Sequence, residues 1–218
     1  MDTRTIEGVP LFQSLNETER AVLSGRFVVR HHPRNAVVIN EGDETNSLYV
    51  IVEGRVKVYL TDEHGKEVIL NTQGPGEYFG EVSLLDDRPR SASVATLADS
   101  KFAVLTKQAF IDCLRENPDI ALQIIRGLTE RLRGLSENVR SLALMDVYGR
   151  VARLLQDAAV TCDGARVIDE KLTYADIAAR IGASPKMVGR VMQELKKGGY
   201  LRKAGRKLVI EKSFPSSW

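Results

Sequence analysis

Three glycines, Gly74, Gly76 and Gly80, lead directly into Glu81, and a mostly apolar and acidic bridge then runs to Pro89-Arg90-Ser91-Ala92. Glycine lets a backbone approach another group closely, because no Cβ intervenes and unusual φ values cost little. Arginine offers a planar, permanently charged fork that matches phosphate oxygens. A carboxylate such as Glu81 repels phosphate but accepts hydrogen bonds from sugar hydroxyls. Within Gly74–Val94 these types suit a small sugar phosphate. The alternative is structural: glycines in turns, with Glu81 and Arg90 as a surface ion pair.

Such a loop needs a rigid frame. Between Phe27 and Lys107 the apolar period is two, and turn signals recur at short spacing. The pattern predicts strands at Ala36–Asn40, Leu48–Val52, Arg55–Leu60, Glu67–Asn71, Ser91–Leu97 and Lys101–Leu105. Glu41-Gly42-Asp43, Glu53-Gly54, His64-Gly65 and Gly74-Pro75-Gly76 separate them. Many short strands at this spacing predict a sandwich or a rolled jelly-roll barrel displaying the loop. One helix is expected before it, from Val9 to Arg26, with Leu11, Phe12, Leu15, Val22 and Leu23 on its apolar stripe.

Helical pattern returns at Lys107, and Pro118 follows Asn117 as a helix start. Ala121, Ile125, Leu128, Leu132, Leu135, Val139 and Leu142 then follow one another by alternating steps of four and three, a heptad seam. Such a helix can pack on its own β domain, but the regular stripe favours a two-stranded coiled coil and a parallel homodimer. Ile125, Leu128, Leu132, Leu135, Val139 and Leu142 are the candidate dimer contacts.

The last third opens with a helix through Tyr148, Val151, Leu154 and Leu155, and a short strand at Arg166–Ile168. Thr173 with Asp176 has the form of a capping box. Ser184-Pro185 forms an N-cap and first-turn pair after Ile181-Gly182. Ile177, Ala178, Ile181, Val188, Val191, Met192 and Leu195 supply the contact between the two short helices, a helix-turn-helix. Lys186, Arg190 and Gln193 share a face able to read base edges and phosphates, with Gly189 permitting close approach. Tyr200–Arg202 and Leu208–Ile210, joined by Lys203-Ala204-Gly205-Arg206-Lys207, read as a basic hairpin wing. The candidate DNA contacts are Thr173, Ser184, Lys186, Gly189, Arg190, Gln193, Lys203 and Arg206. A helical hairpin buried in a core is the alternative, which the basic density and the wing argue against.

Charge agrees with that division. Residues 146–218 hold 14 Lys and Arg against eight Asp and Glu, whereas residues 1–145 hold 17 against 21. A basic end behind an acidic front points to nucleic acid. No apolar run reaches the ~20 residues of a membrane span, and the amino terminus lacks the regions of a secretory signal. Two distant cysteines, Cys113 and Cys162, fit a reducing cytoplasm and are too few for a four-thiolate iron–sulfur cluster. His31, His32 and His64 form no ligand set, so no metal is expected.

The stretch from Gly80 to Ala92 resembles the phosphate-binding cassette of cyclic-nucleotide-binding domains. β-roll cassette, heptad helix and winged helix-turn-helix, in that order, resemble the cyclic-AMP receptor protein and fumarate–nitrate regulator (CRP/FNR) superfamily over nearly the whole chain. The resemblance implies an α+β fold: a cyclic-nucleotide-binding-type β-roll (residues 1–116), a long dimerisation helix (117–145) and a winged helix-turn-helix DNA-binding domain (146–218). It implies that Gly80 and Glu81 address a ribose and Arg90 the cyclic phosphate, with Ser91 and Ala92 adding donors. Arg131 and Ser136 on the long helix join them, but Leu135 stands where the cyclic-AMP receptors carry a threonine. The recognition helix also departs, since Pro185 and Lys186 replace an arginine–glutamate pair and only Arg190 matches the second arginine. The oxygen-sensing branch's amino-terminal cysteine cluster is absent, as is the haem-sensing branch's ligand pattern, so neither haem nor iron–sulfur is expected.

The expected protein is a cytoplasmic homodimeric regulator of transcription that binds an operator in double-stranded DNA and is modulated by a small nucleotide, with RNA polymerase a partner by resemblance. A regulator with a vestigial pocket and no effector is the alternative. A nucleotide phosphodiester enzyme is a remote third: it needs metal ligands or a placed general base, and GxxxxGK[ST] is absent.

Overall fold

The computed structural model describes residues 8–162, 165–170, 172–205 and 207–215. By compactness the chain divides into Met1–Thr61 with Ile69–Arg133, and Asp62–Val68 with Gly134–Trp218.

The first unit begins with a single 3-10 turn, Pro10–Phe12, and then α1, Glu17–Arg26. One helix over Val9–Arg26 is therefore incorrect. Asn16 interrupts it: its side chain accepts from Glu19 N while Glu19 accepts from Asn16 N, a complete capping box. Such a cap contributes about 1 kcal/mol and fixes the helix start where the cap sits.

Eight strands follow: β1 (Val28–His32), β2 (Val37–Ile39), β3 (Ser47–Glu53), β4 (Val56–Thr61), β5 (Glu67–Gln73), β6 (Tyr78–Phe79), β7 (Ser93–Thr96) and β8 (Ser100–Thr106). They form two four-stranded sheets, β1-β8-β3-β6 and β2-β7-β4-β5. Alternation along β3 shows how one strand serves two cores. Leu48 and Val50 join Phe12, Leu23, Leu105 and Phe110 beneath the helices, while Ile51 faces Ile39, Val56, Phe79, Val94 and Phe102 inside the roll. Tyr49 stacks on Phe79 at 4.9 Å between ring centroids, and both meet Phe102 edge-on. The six expected strands all form, within one or two residues of the expected ends. β1 and β6 were not expected: β1 is mostly exposed and its residues show no apolar alternation, and β6 is only two residues long.

Helix α2 (Val82–Asp86) lies within the cassette, α3 (Lys107–Glu116) follows β8, and α4 runs from Pro118 to Leu144. The first half of α4 docks through Ile120 and Ile124, both buried in the helical-side core, with Leu128 half-buried beside them. Ile125, Leu132, Leu135, Val139 and Leu142 are exposed. One stripe of α4 thus packs on its own domain, while most of the heptad seam is exposed on another face. Leu128 differs from the other seam residues, being held partly on the domain core.

In the second unit, Asp146 caps α5 (Val147–Asp157) by accepting from Gly149 N at 2.7 Å. Arg153 of α5 donates to Glu137 of α4 at 2.6 Å, tying the two helices across the turn at Met145-Asp146. β9 (Val160–Cys162), not expected from sequence, pairs with β10 (Ala165–Ile168). Helices α6 (Tyr174–Ile181) and α7 (Pro185–Lys197) precede the hairpin β11 (Leu201–Ala204) and β12 (Lys207–Ile210), and the sheet order is β11-β12-β10-β9. One core joins Val151 and Leu155 of α5 to Ile177 and Ile181 of α6 and Val188, Met192 and Leu195 of α7.

Candidate nucleotide cassette and nucleic-acid interface

The cassette is built around Arg90, which is 4% exposed. Its guanidinium donates from Nε to Thr45 Oγ1 (3.0 Å), from Nη1 to Gly80 O (2.6 Å) and Ser83 Oγ (2.8 Å), and from Nη2 to Ser47 O (2.7 Å). Four of the five donors of an arginine are thereby committed to protein groups. The backbone is pinned as well, Arg90 N donating to Asp43 O at 2.9 Å and Gly42 N to Arg90 O at 2.9 Å. Burial lowers the pKa of Arg90, against the raising influence of Tyr49 and Glu81.

Gly80 explains how the arginine fits. Its φ is +86°, a region that disfavours any side chain, and a Cβ there would stand 2.6 Å from Arg90 Nη1 and 2.9 Å from Ser47 O. The glycine does permit a close approach, and the approaching group is the chain's own arginine.

Glu81, 2% exposed, pairs with Arg131 of α4 rather than with Arg90. The surface Glu81–Arg90 ion pair considered from sequence is incorrect on both counts: the carboxylate is buried and its partner comes from another element. Burial pushes the Glu81 carboxyl above the ordinary range, and the Arg131 charge acts against that push. Arg131 Nη2 also donates to Tyr78 O at 2.7 Å, and the guanidinium lies over the Tyr78 ring at 4.7 Å. Ser91 is exposed and Ala92 is buried. Ser136 lies five residues beyond Arg131 on α4 and is exposed. Sequence reasoning missed Thr45, Ser47, Ser83 and Tyr78. No local pattern marks Thr45 and Ser47, because strand pairing brings β3 and its preceding loop beside a residue more than forty positions on; Ser83 and Tyr78 lie inside the cassette stretch itself, but no motif residue singles them out.

In the second unit both expected caps form. Thr173 and Asp176 make a reciprocal capping box, and Ser184 Oγ accepts from Met187 N. Gly182 ends α6 with φ +64°, the left-handed stop that turns the chain into α7. Burying Val188, Met192 and Leu195 leaves Lys186, Arg190 and Gln193 exposed on α7. Gly189, half-exposed, faces the Tyr174 ring: a Cβ there would meet Cδ2 at 3.5 Å, an ordinary contact, so packing does not demand glycine. Lys203 is exposed on β11, and Arg206 lies outside the described residues. Lys207 pairs with Asp169 at 3.0 Å and Arg202 with Glu211, leaving Lys203 as the outward charge of β11. Among the described residues no group of three or more His, Cys, Asp and Glu could hold a metal ion, and no helix is long and apolar enough to cross a membrane.

A family model of the cyclic nucleotide-binding domain matches residues 29–117, and one of the Crp-like helix-turn-helix domain matches residues 149–212. The CRP-like cAMP-activated global transcriptional regulator of Mycobacterium tuberculosis is 30% identical over 207 residues, 93% of this chain and 92% of the relative. The chain belongs to the CRP/FNR superfamily of transcription regulators. The cAMP-activated global transcriptional regulator CRP of Salmonella typhimurium is 31% identical over 189 residues, 84% of this chain and 89% of that protein. Among solved structures, the c-di-GMP responsive global regulator CLP of Xanthomonas campestris has a TM-score of 0.80 at 22% identity, covering 90% of this chain and 100% of that one. The catabolite activator protein of Thermus thermophilus gives 0.56 at 28% identity, covering 94% of each chain. These CRP/FNR likenesses bear out the α+β architecture of β-roll, long helix and helix-turn-helix.

Proposed function

We propose that this CRP/FNR-type regulator acts as a homodimer that binds operator DNA in a sequence-specific way, under modulation by a small nucleotide held in the β-roll. The observation that carries the reading is the face of α7. Val188, Met192 and Leu195 bury its apolar side, while Lys186, Arg190 and Gln193 stand free of that core beside a basic hairpin. Arginine on such a helix reads guanine edges bidentately, and the lysines find phosphates. Thr173 and Ser184, at the two helix starts, and Gly189 complete the contact surface, with Lys203 and Arg206 on the wing meeting the backbone. The exposed Leu132, Leu135, Val139 and Leu142 seam supplies the dimer, so the operator carries two half-sites related by the protein's two-fold axis. The roles divide as residues 1–116 for the effector, 117–145 for dimerisation and 146–218 for DNA, in a cytoplasmic protein whose further partner is RNA polymerase.

Cyclic nucleotides suit the cassette's chemistry. Gly80, Glu81, Arg90, Ser91 and Ala92, with Arg131 and Ser136 from α4, place positive charge beside a carboxylate, as a phosphate joined to a ribose requires. The curated relatives are cAMP-activated regulators, and the Xanthomonas neighbour responds to c-di-GMP. A second reading, a regulator active without effector, is favoured by one observation: Arg90 and Glu81 are already committed to protein partners. Selection of duplexes from a random pool, alone and with cyclic AMP or cyclic di-GMP, tests both. A two-fold symmetric consensus is expected. Recovery of no preferred sequence under any of the three conditions overturns the proposal. A consensus of equal affinity with and without nucleotide decides for the second reading.

A further inference from the structure

Two features of the α4 docking surface run against local preference, and they meet at one contact. Gly127 sits in mid-helix, where glycine is a weaker helix former than alanine. Tyr78 of β6 is 7% exposed, and its hydroxyl is buried with no hydrogen-bond partner. A buried polar group without a partner is disfavoured and asks for a reason. The two explain each other sterically. A Cβ at residue 127 would stand 2.5 Å from Tyr78 Oη but 3.5 Å from Cζ. The hydroxyl fills the notch that the missing side chain leaves.

The same tyrosine holds Arg131, one helical turn on. Its carbonyl accepts from Nη2, its ring lies under the guanidinium, and Glu81 takes the other side. Sliding α4 by one residue moves it about 1.5 Å and turns it by about 100°, bringing the Arg126 or Leu128 side chain to the notch. Only the register with Gly127 opposite Tyr78 lets the helix lie this close. We propose that Tyr78 is a positioning residue: seated against Gly127, it sets the register of α4 on the β-roll and so places Arg131 on Glu81. This rests on the reading that α4 and the cassette govern DNA binding.

The test is a double-mutant cycle in the full-length protein. Gly127→Ala gives helix propensity but creates the 2.5 Å clash; Tyr78→Phe removes the clashing atom and the unpaired hydroxyl; the double variant leaves an ordinary 3.5 Å contact. Gly134→Ala is the control for propensity, since a Cβ there meets nothing within 4 Å. Thermal midpoints are expected to rise for Tyr78→Phe and Gly134→Ala, to fall for Gly127→Ala, and to recover in the double variant. Affinity for the duplex selected by the unmodified protein, measured well below every midpoint, reads positioning separately from folding. Gly127→Ala should weaken it roughly tenfold or more, and the double variant should return to within about threefold. A double variant as weak as Gly127→Ala, or a Gly127→Ala protein unchanged in both measurements, overturns the proposal. Normal affinity with a lowered midpoint makes the contact structural only, which also overturns it. If Gly127→Ala cannot be obtained folded, the double variant decides alone: folded with near-normal affinity supports, unfolded refutes. Should the unmodified protein select no duplex, the regulatory reading fails by itself. Hydrogen exchange of residues 78–86 and 118–133 then judges the register. Both segments should exchange faster together in Gly127→Ala and return to the unmodified rates when Tyr78→Phe is added; if they do not slow together in the double variant, the idea is lost.

Discussion

Replacing Leu132 and Val139 together by glutamate should convert the protein to monomers. Both are about two-thirds exposed in the single chain, at 64% and 65%. Full burial of such a side chain contributes ~1.5–3 kcal/mol, so covering the exposed two-thirds contributes about 1–2 kcal/mol each. A dimer covers four of them, which is roughly 4–8 kcal/mol. With ~1.4 kcal/mol for each factor of ten, the pair of substitutions weakens association by about three to six orders of magnitude before charge repulsion is counted. Sedimentation velocity over a range of concentrations reads this directly, and circular dichroism checks that the chain still folds, as it should, since neither residue belongs to any of the three cores. Operator binding should fall with the dimer. An intact dimer of the double variant at micromolar concentration would refute the seam.

Arg190→Ala should lose base discrimination, about 1–3 kcal/mol at one position of the half-site, visible as a relaxed consensus in repeated selection; an unchanged consensus removes it as a base reader. Lys203→Ala should instead weaken all duplexes alike and reduce the salt slope by about one, read by titrations at several salt concentrations. Arg131→Leu leaves Glu81 buried without its partner, and the cost should lie toward the lower end of ~3–5 kcal/mol because Arg131 keeps part of its surface in water. Burial already raises the Glu81 pKa, so in the folded state the carboxyl binds protons more tightly than when unfolded. Stability then falls as pH rises above the ordinary carboxylate range, and denaturation at pH 5 and pH 7 should show the larger loss at pH 7. Leu135→Thr should strengthen cyclic-AMP binding by calorimetry and make DNA binding depend more on ligand, because leucine leaves a buried amino group unpaired at a cost of about 1–3 kcal/mol. Tight cyclic-AMP binding by the unmodified protein would sink that argument.

What the sequence carries locally, it carried well. The strands of the roll, the two N-caps of the helix-turn-helix and the apolar steps along α4 are short-range patterns, and each has its counterpart in the structure. Asn16 shows the same physics missed. Its capping box with Glu19 was as visible as that of Thr173 with Asp176, yet an apolar stripe running through it suggested one helix. The heptad reading found the open seam of α4 but not the buried Ile120 and Ile124 beside it, because a helix with two apolar stripes has no single period. β6 is beyond pattern altogether: two residues carry no alternation, and Tyr78 is in a strand only because β3 pairs with it.

The cassette marks where legibility of residues and legibility of function separate. Gly80, Glu81 and Arg90 are types suited to a sugar phosphate, and the structure sets Arg90 against the Gly80 carbonyl with Glu81 next in the chain. Their present partners, though, are Thr45, Ser47 and Ser83, which no sequence motif marks, and Arg131 of α4. A phosphate approaching Arg90 meets a guanidinium with one donor left, and it must take other donors from carbonyls and hydroxyls that then need new partners. A ribose approaching Glu81 competes with a buried guanidinium. On the proposed reading, binding energy from a nucleotide would be offset by the rearrangement it requires, and the measured affinity would be the intrinsic affinity reduced by the population able to accept ligand. The Glu81–Arg131 pair, which a ribose would have to displace, also ties α4 to the roll. If the proposed effector binds here, its tightness and the dependence of DNA binding on it rest on that one pair, and substitutions that loosen the pair without leaving Glu81 unpartnered should increase both together.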